Sequence, residues 1–184
     1  LGMNHISLRA ADGKGIADYT VEEAKESLLP RLQAAGVKVS SLGSPIGKVG
    51  IEDEEGFEKQ LAQLDTLCQI CQVLDCRYIR MFSFFIPEGK NPDDYHDQVL
   101  EKLKKFAAVA EKYNVVLIHE NEKESYGDNG RRCKVVLDAV GSDHFKAAFD
   151  FANFVQCGED PAECWEMLKD QVVYIHIKDA VYGK

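Results

Sequence analysis

The segment VVLIHE (115–120) is an apolar run that stops on a carboxylate, and two later runs repeat the pattern: FKAAFD (145–150) stops on Asp150 and VVYIHI (172–177) carries His176 at its end. Each run is short, rich in β-branched or aromatic residues and bounded by polar stretches, which predicts a strand. Parallel strands that alternate with helices point their carboxyl ends at one face, so residues far apart in sequence converge there. Two carboxylates and an imidazole offer oxygen and nitrogen donors, a set suited to a divalent ion such as Mn²⁺, Mg²⁺, Co²⁺ or Zn²⁺. A single polar residue at a strand end is ordinary. Three on successive strands make coincidence a poor explanation, and Glu120, Asp150 and His176 are the candidate metal ligands.

Working outward, HISLR (5–9), VKVSSLG (37–43) and RYIRMFSFF (77–85) predict three further strands, with strand ends near 9, 42, 85, 120, 150 and 176. Helical patterns fall between them. The first, DYTVEEAKESLLPRLQAAG, carries a capping box at Thr20 and Glu23, Pro30 as a source of a kink, and Gly36 as terminator. Others are expected near 56–74, 93–112 and 131–140 and from Pro161 onward, while FANFVQCGED (151–160) reads as a loop. With no two-residue hairpin signal, the alternation predicts right-handed parallel crossovers. The segment RAADGKG after the first strand does not match the glycine fingerprint of a doubly wound sheet. A (β/α)8 TIM barrel fits better, with six of its eight βα units present, so residues 1–184 are expected to form a single barrel domain lacking the first and eighth strands.

A formal net charge of −9 opposes a phosphate-tracking role, and no nucleic-acid partner is expected. No apolar stretch is long enough for a membrane span, and no leader opens the chain, so a cytoplasmic protein free of the membrane is expected, with homo-oligomerisation left open. The six cysteines are expected to be reduced thiols. Cys68 and Cys71 share helical spacing with Leu61, Leu64 and Leu67, which favours a buried helix face over a zinc site.

Other strand-end residues extend the candidate site. Arg9 suits a phosphate or hydroxyl contact, or a pairing with a carboxylate. Glu122 is a candidate for substrate binding or proton transfer, against a solvated loop charge. Lys178 follows His176 by the two-residue period and is a catalytic candidate for stabilising an oxyanion. His119 alternates away from Glu120 and reads as a satisfied core histidine. Phe82, Phe84 and Phe85 are candidates for an apolar rim.

The segments VVLIHENE, FDFANFVQCGEDPAECWEMLKDQVVYIHIKDA and DYTVEEAKESLLPRLQAAGVKVSSLGSPIGK resemble the xylose isomerase-like TIM barrels of sugar phosphate isomerases and epimerases, and the resemblance covers essentially the whole chain. It implies metal ligation by Glu120, Asp150 and His176, with a fourth ligand, a Glu, on an eighth strand. It also implies a metal-dependent isomerase or epimerase that passes a sugar, sugar phosphate or related polyol ketone through an enediolate, with Glu120 as a proton-transfer group. Asn153 stands where many epimerases of the family carry His, so a substrate contact is expected there and proton transfer is not. Tyr182 replaces an arginine found in some members. The alternatives are an inosose-type dehydratase of the same superfamily and a barrel that binds metal or polyol without turnover.

Overall fold

The computed structural model describes residues 2–182. Six strands, β1 (His5–Leu8), β2 (Lys38–Gly43), β3 (Tyr78–Met81), β4 (Val116–Glu120), β5 (Phe145–Asp150) and β6 (Val172–His176), pair in chain order, and every pair is parallel. The sheet curls strongly. Tyr174 on β6 brings its hydroxyl to 2.9 Å from Ser40 Oγ and 3.2 Å from Ser41 Oγ on β2. Strands four places apart in a flat sheet would be separated by about 19 Å, so this contact requires the wall of a barrel.

Helices cover the outer face. The first, α1, runs without a break through Val21–Glu23, Ala24–Leu28 and Leu29–Ala34, followed by α2 (Glu54–Val73), α3 (His96–Lys112), α4 (Gly130–Val140), α5 (Phe151–Gln156) and α6 (Pro161–Leu168). Strand alternation sorts the apolar residues into two layers. Ile79, Met81, Leu117, Phe145, Ala147 and Phe149 face outward into the main core beneath the helices, whereas Val116, Ile118 and Ala148 face inward with Tyr78 and Tyr174. The interior polar residues lie on that second face, beyond the apolar plug.

Local chemistry explains most of the boundaries. Glu23 N–H donates to Thr20 Oγ1 and Thr20 N–H to Glu23 Oε2, completing the expected capping box. Pro30 cannot donate a backbone bond, and the turn just before it, Ala24–Leu28, widens to π geometry, so the helix continues where a kink was expected.

Four expectations are corrected. The third strand stops at Met81 rather than near 85, because Phe82–Phe85 leaves the sheet to bond with the β2–α2 loop: Phe82 N–H donates to Ile46 O and Phe84 N–H to Gly47 O. Phe84 takes a left-handed φ of 68° there and stacks 5.7 Å from Phe106, so Phe82 and Phe84 are buried rather than forming a rim. Residues 151–156 are helical, not loop, since Asp150 caps them and no glycine intervenes before Gly158. Residues 10–15 form a small hairpin, Ala10–Ala11 against Lys14–Gly15, whose Asp12-Gly13 turn has positive φ at both residues. That dipeptide was the signal for it.

All six cysteines are free, and all but the half-buried Cys157 are buried. Cys68 and Cys71 belong to the main core, as the spacing predicts. Burial pushes the thiols of Cys68 and Cys164 up to about 12 and that of Cys157 to about 11. No helix among the described residues is long and apolar enough to cross a membrane.

Two outcomes are expected. Gly47 and Gly89 both have positive φ, but a Cβ at Gly47 would collide with the Phe82 carbonyl while one at Gly89 meets nothing within 4 Å. In urea denaturation, Gly89→Ala should cost about 1 kcal/mol and Gly47→Ala at least about 2 kcal/mol more. Thiol titration of the native chain at pH 8 should be slow, with Cys157 reacting first and faster as pH rises toward its pKa, and all six reacting after denaturation.

Candidate metal centre

The two-residue period of a strand places Ile118 and Glu120, Ala148 and Asp150, and Tyr174 and His176 on the inner face, with each polar residue at the carboxyl end. Asp150 and His176 are direct partners in the β5–β6 register, and Glu120 is opposite Ala148 on β5. Their potential ligand atoms lie within 4.8 Å of one another. His176 Nδ1 is 2.9 Å from Glu120 Oε1, a contact in which the imidazole N–H donates, and 3.9 Å from Asp150 Oδ2. The three sequence-predicted ligands therefore come together.

Both carboxylates are almost fully buried, Glu120 at 3% exposure and Asp150 at 1%. Such a pair is costly unless positive charge is brought to it. Arg80 Nη1 lies 3.3 Å from Glu120 Oε2, and Lys178 Nζ lies 3.1 Å from Asp150 Oδ2. These are ion-pair distances, yet neither contact has the geometry of a hydrogen bond, and Glu120 Oε2 and Asp150 Oδ2 remain buried without a hydrogen-bond partner. Burial pushes the Glu120 carboxyl up, but His176 and Arg80 outweigh it and leave it below its ordinary value. Burial also pushes Asp150 up, against the Asn153 N–H bond and the nearby Lys178 cation, and its neighbour Glu120 adds to the rise. Two orphaned anionic oxygens facing an imidazole fit a divalent cation, which would satisfy both lone pairs and supply the missing positive charge.

The ligands are fixed from behind. Asp150 Oδ1 accepts from Asn153 N–H at 2.9 Å, so the candidate ligand also caps α5. Asn121 clasps the backbone of Asp150, donating through Nδ2 to its carbonyl and accepting its N–H at Oδ1, at 3.0 and 2.9 Å. Asn153 Nδ2 donates to Asn121 O at 2.7 Å, and Asn153 Oδ1 accepts from Lys178 Nζ at 2.8 Å. Asn153, expected at the substrate, is thus buried in the network that holds Asp150 and Lys178.

The other expected site residues lie elsewhere. Glu122 pairs with Lys48 at 3.0 Å rather than with the cluster. Arg9 lines a separate cavity that it shares with Arg80 and Lys48. His119 faces the helices as expected and packs 6.0 Å from Phe145, but its Nε2 has no hydrogen-bond partner, correcting the expectation of a satisfied histidine. Burial pushes its pKa down to about 4, so the ring is held neutral. Sequence reading missed Arg80 and Asn121. A lone charge alternating with Ile79 and Met81 in an apolar strand was a readable sign that Arg80 points inward, whereas nothing local marks Asn121.

No curated protein matches this chain in sequence. Solved structures match its fold. A D-tagatose 3-epimerase-like protein is 16% identical with a TM-score of 0.78, over 95% of this chain and 66% of its own. The IOLI protein with a bound zinc atom is 16% identical with a TM-score of 0.76, over 98% and 66%. A probable 3-DHS dehydratase from Bacillus anthracis is 15% identical with a TM-score of 0.71, over 88% and 58%. The chain thus spans roughly three fifths of the length of structures it matches, the last of these among them. The family described as xylose isomerase-like TIM barrel matches residues 1–184, its strand order and curled wall agree with that fold, and the chain belongs to this family.

Proposed function

We propose that this chain carries the metal centre of an isomerase or epimerase acting on a small sugar or polyol. The observation that carries the reading is the convergence of Glu120, Asp150 and His176 within 4.8 Å, with two buried carboxylate oxygens left without hydrogen-bond partners. Those residues would hold a divalent ion, which when bound polarises a substrate carbonyl and favours the enediolate charge that follows loss of the neighbouring proton. The relatives add support of kind only: one is named as epimerase-like, one holds zinc, and one is a probable dehydratase.

The protein's own groups then have separable tasks. Asp150 and His176 fix the ion, Asp150 being immobilised by Asn121 and by its role as cap. Glu120 has Oε1 bonded to His176 and Oε2 without a hydrogen bond; with Oε2 taken by the ion, Oε1 is the oxygen left to take or return a proton. Lys178, held by Asn153, brings a cation to the edge of the cluster where oxyanion charge develops. We read residues 1–184 as one barrel domain, with a complete four-ligand site requiring a Glu from an eighth strand. A dehydratase would begin with the same proton abstraction and differ by expelling a β-hydroxyl.

Glu120→Gln and Asp150→Asn should each lower divalent-ion affinity by more than about 100-fold, since each removes a direct ligand rather than a supporting group. Elemental analysis after dialysis reads this, and unchanged metal content in both variants refutes the assignment. Incubating a protein that includes the eighth strand with Mn²⁺ and a panel of sugars and inositols in deuterated water should give exchange at the carbon beside the carbonyl. Loss of water from the substrate instead would identify the dehydratase.

A further inference from the structure

Glu120 Oε2 and Asp150 Oδ2 are buried without hydrogen-bond partners, and each faces a cation: Arg80 Nη1 lies 3.3 Å from the first and Lys178 Nζ 3.1 Å from the second. Two carboxylates and two cations balance, so the chain itself neutralises the ligands it offers. For ion capture alone this pairing is a handicap, because uncancelled carboxylate charge is what draws a cation in.

Arg80 is not free to withdraw. Its Nη2 donates to Ser44 O at 3.2 Å, its Cζ lies 4.8 Å from the Phe82 centroid, and its side chain is only 17% exposed. Nor does it aim the carboxylate: its contact with Glu120 lacks hydrogen-bond geometry, whereas Glu120 Oε1 is bonded to His176 at 2.9 Å. What Arg80 contributes is charge at a fixed place. Lys178 is held less firmly, since Asn153 Oδ1 accepts from it at 2.8 Å but its side chain is 49% exposed. A ligand bond of about 2.2 Å to Glu120 Oε2 would put an ion no more than about 5.5 Å from Arg80 Nη1. Repulsion between a single and a double positive charge at that range amounts to at least about a tenfold change in affinity, even at the dielectric constant of water.

We propose that Arg80 is a built-in counter-charge to the metal ligands, with Lys178 acting likewise at Asp150: they neutralise the buried carboxylates, weaken ion binding, and leave the ion's charge uncancelled for an oxyanion of the substrate. This role rests on Glu120, Asp150 and His176 binding a divalent ion. Without the two cations the two carboxylates would cancel such an ion completely; with them the centre stays positive even after a fourth carboxylate joins it. Arg80 acts through Glu120 and not on the substrate.

The test is Mn²⁺ titration of the intact chain, with the free ion read by its EPR signal, beside thermal melts in chelator. If Arg80 only supported the fold, removing its charge would lower stability and leave ion binding unchanged or weaker. As a counter-charge it gives opposite signs: Arg80→Gln should melt lower in chelator, since Glu120 is left uncompensated, yet bind Mn²⁺ at least about tenfold more tightly. Arg80→Lys keeps the charge and should restore native affinity. Lys178→Gln should also bind more tightly, by a smaller factor, and the exposed position of Lys178 lets this variant decide the question if Arg80→Gln does not fold. Equal or weaker binding by folded Arg80→Gln, or by Lys178→Gln where the former does not fold, overturns the counter-charge role, as does equal tightening by Arg80→Lys. The metal centre itself stands in each of these cases as long as Glu120→Gln abolishes Mn²⁺ binding; if Glu120→Gln binds as the native chain does, the metal-centre reading falls instead.

Discussion

Two carboxylates, Glu120 and Asp150, are buried beside one another at the inner end of the sheet, and the surroundings are organised to make that tolerable. Isolated, each would favour its protonated form. Arg80 on β3, Lys178 after β6 and His176 on β6 each bring a donor or cation to within 3.3 Å of one of them. These groups come from four segments of the chain, so the electrostatic arrangement exists only when β3, β4, β5 and β6 are in register. Removing one partner of a buried ionic group typically costs about 3–5 kcal/mol, because the other is left uncompensated. The site and the curl of the sheet therefore depend on each other.

The same economy recurs at Asp150. Its Oδ1 terminates a helix and its Oδ2 faces the cluster, so the residue that would bind an ion also fixes where α5 begins. Asn121 and Asn153 close the gap between β4 and α5: the Asn121 side chain satisfies the backbone of Asp150, and the Asn153 amide satisfies the Asn121 carbonyl. Away from the cluster the sheet is less covered. Val173 and Ile175 on the outer side of β6 are 42% and 43% exposed, in contrast to Ile79 and Leu117 at 0% on central strands.

Much of this was legible in the sequence because it follows from periodicity. The alternation that turns Phe149 outward turns Asp150 inward, and the run VVLIHE fixes both the depth of Glu120 and the outward direction of His119. The capping box at Thr20 and Glu23 was equally local. What was not legible depended on contacts distant in sequence. Phe82 and Phe84 extend an apolar run, and only their backbone bonds to Ile46 and Gly47 show that the strand has already ended. The helix after Asp150 depends on that residue's side chain turning back to the Asn153 N–H, which the polar composition of FANFVQCGED does not show. Asn153 was placed at a substrate by family position, whereas its partners Asn121 and Lys178 are 32 and 25 residues away. The unpaired Nε2 of His119 belongs to the same class, since partner satisfaction is a property of packing.

The claim on which the functional reading rests is that Glu120, Asp150 and His176 coordinate one divalent ion. Anomalous diffraction from crystals of this chain soaked in Mn²⁺ tests it most directly. The expected result is one dominant peak about 2.0–2.3 Å from a carboxylate oxygen of Glu120, one of Asp150 and a ring nitrogen of His176. A soaked crystal with no peak between these three residues, or with its dominant peak elsewhere on the chain, would contradict it.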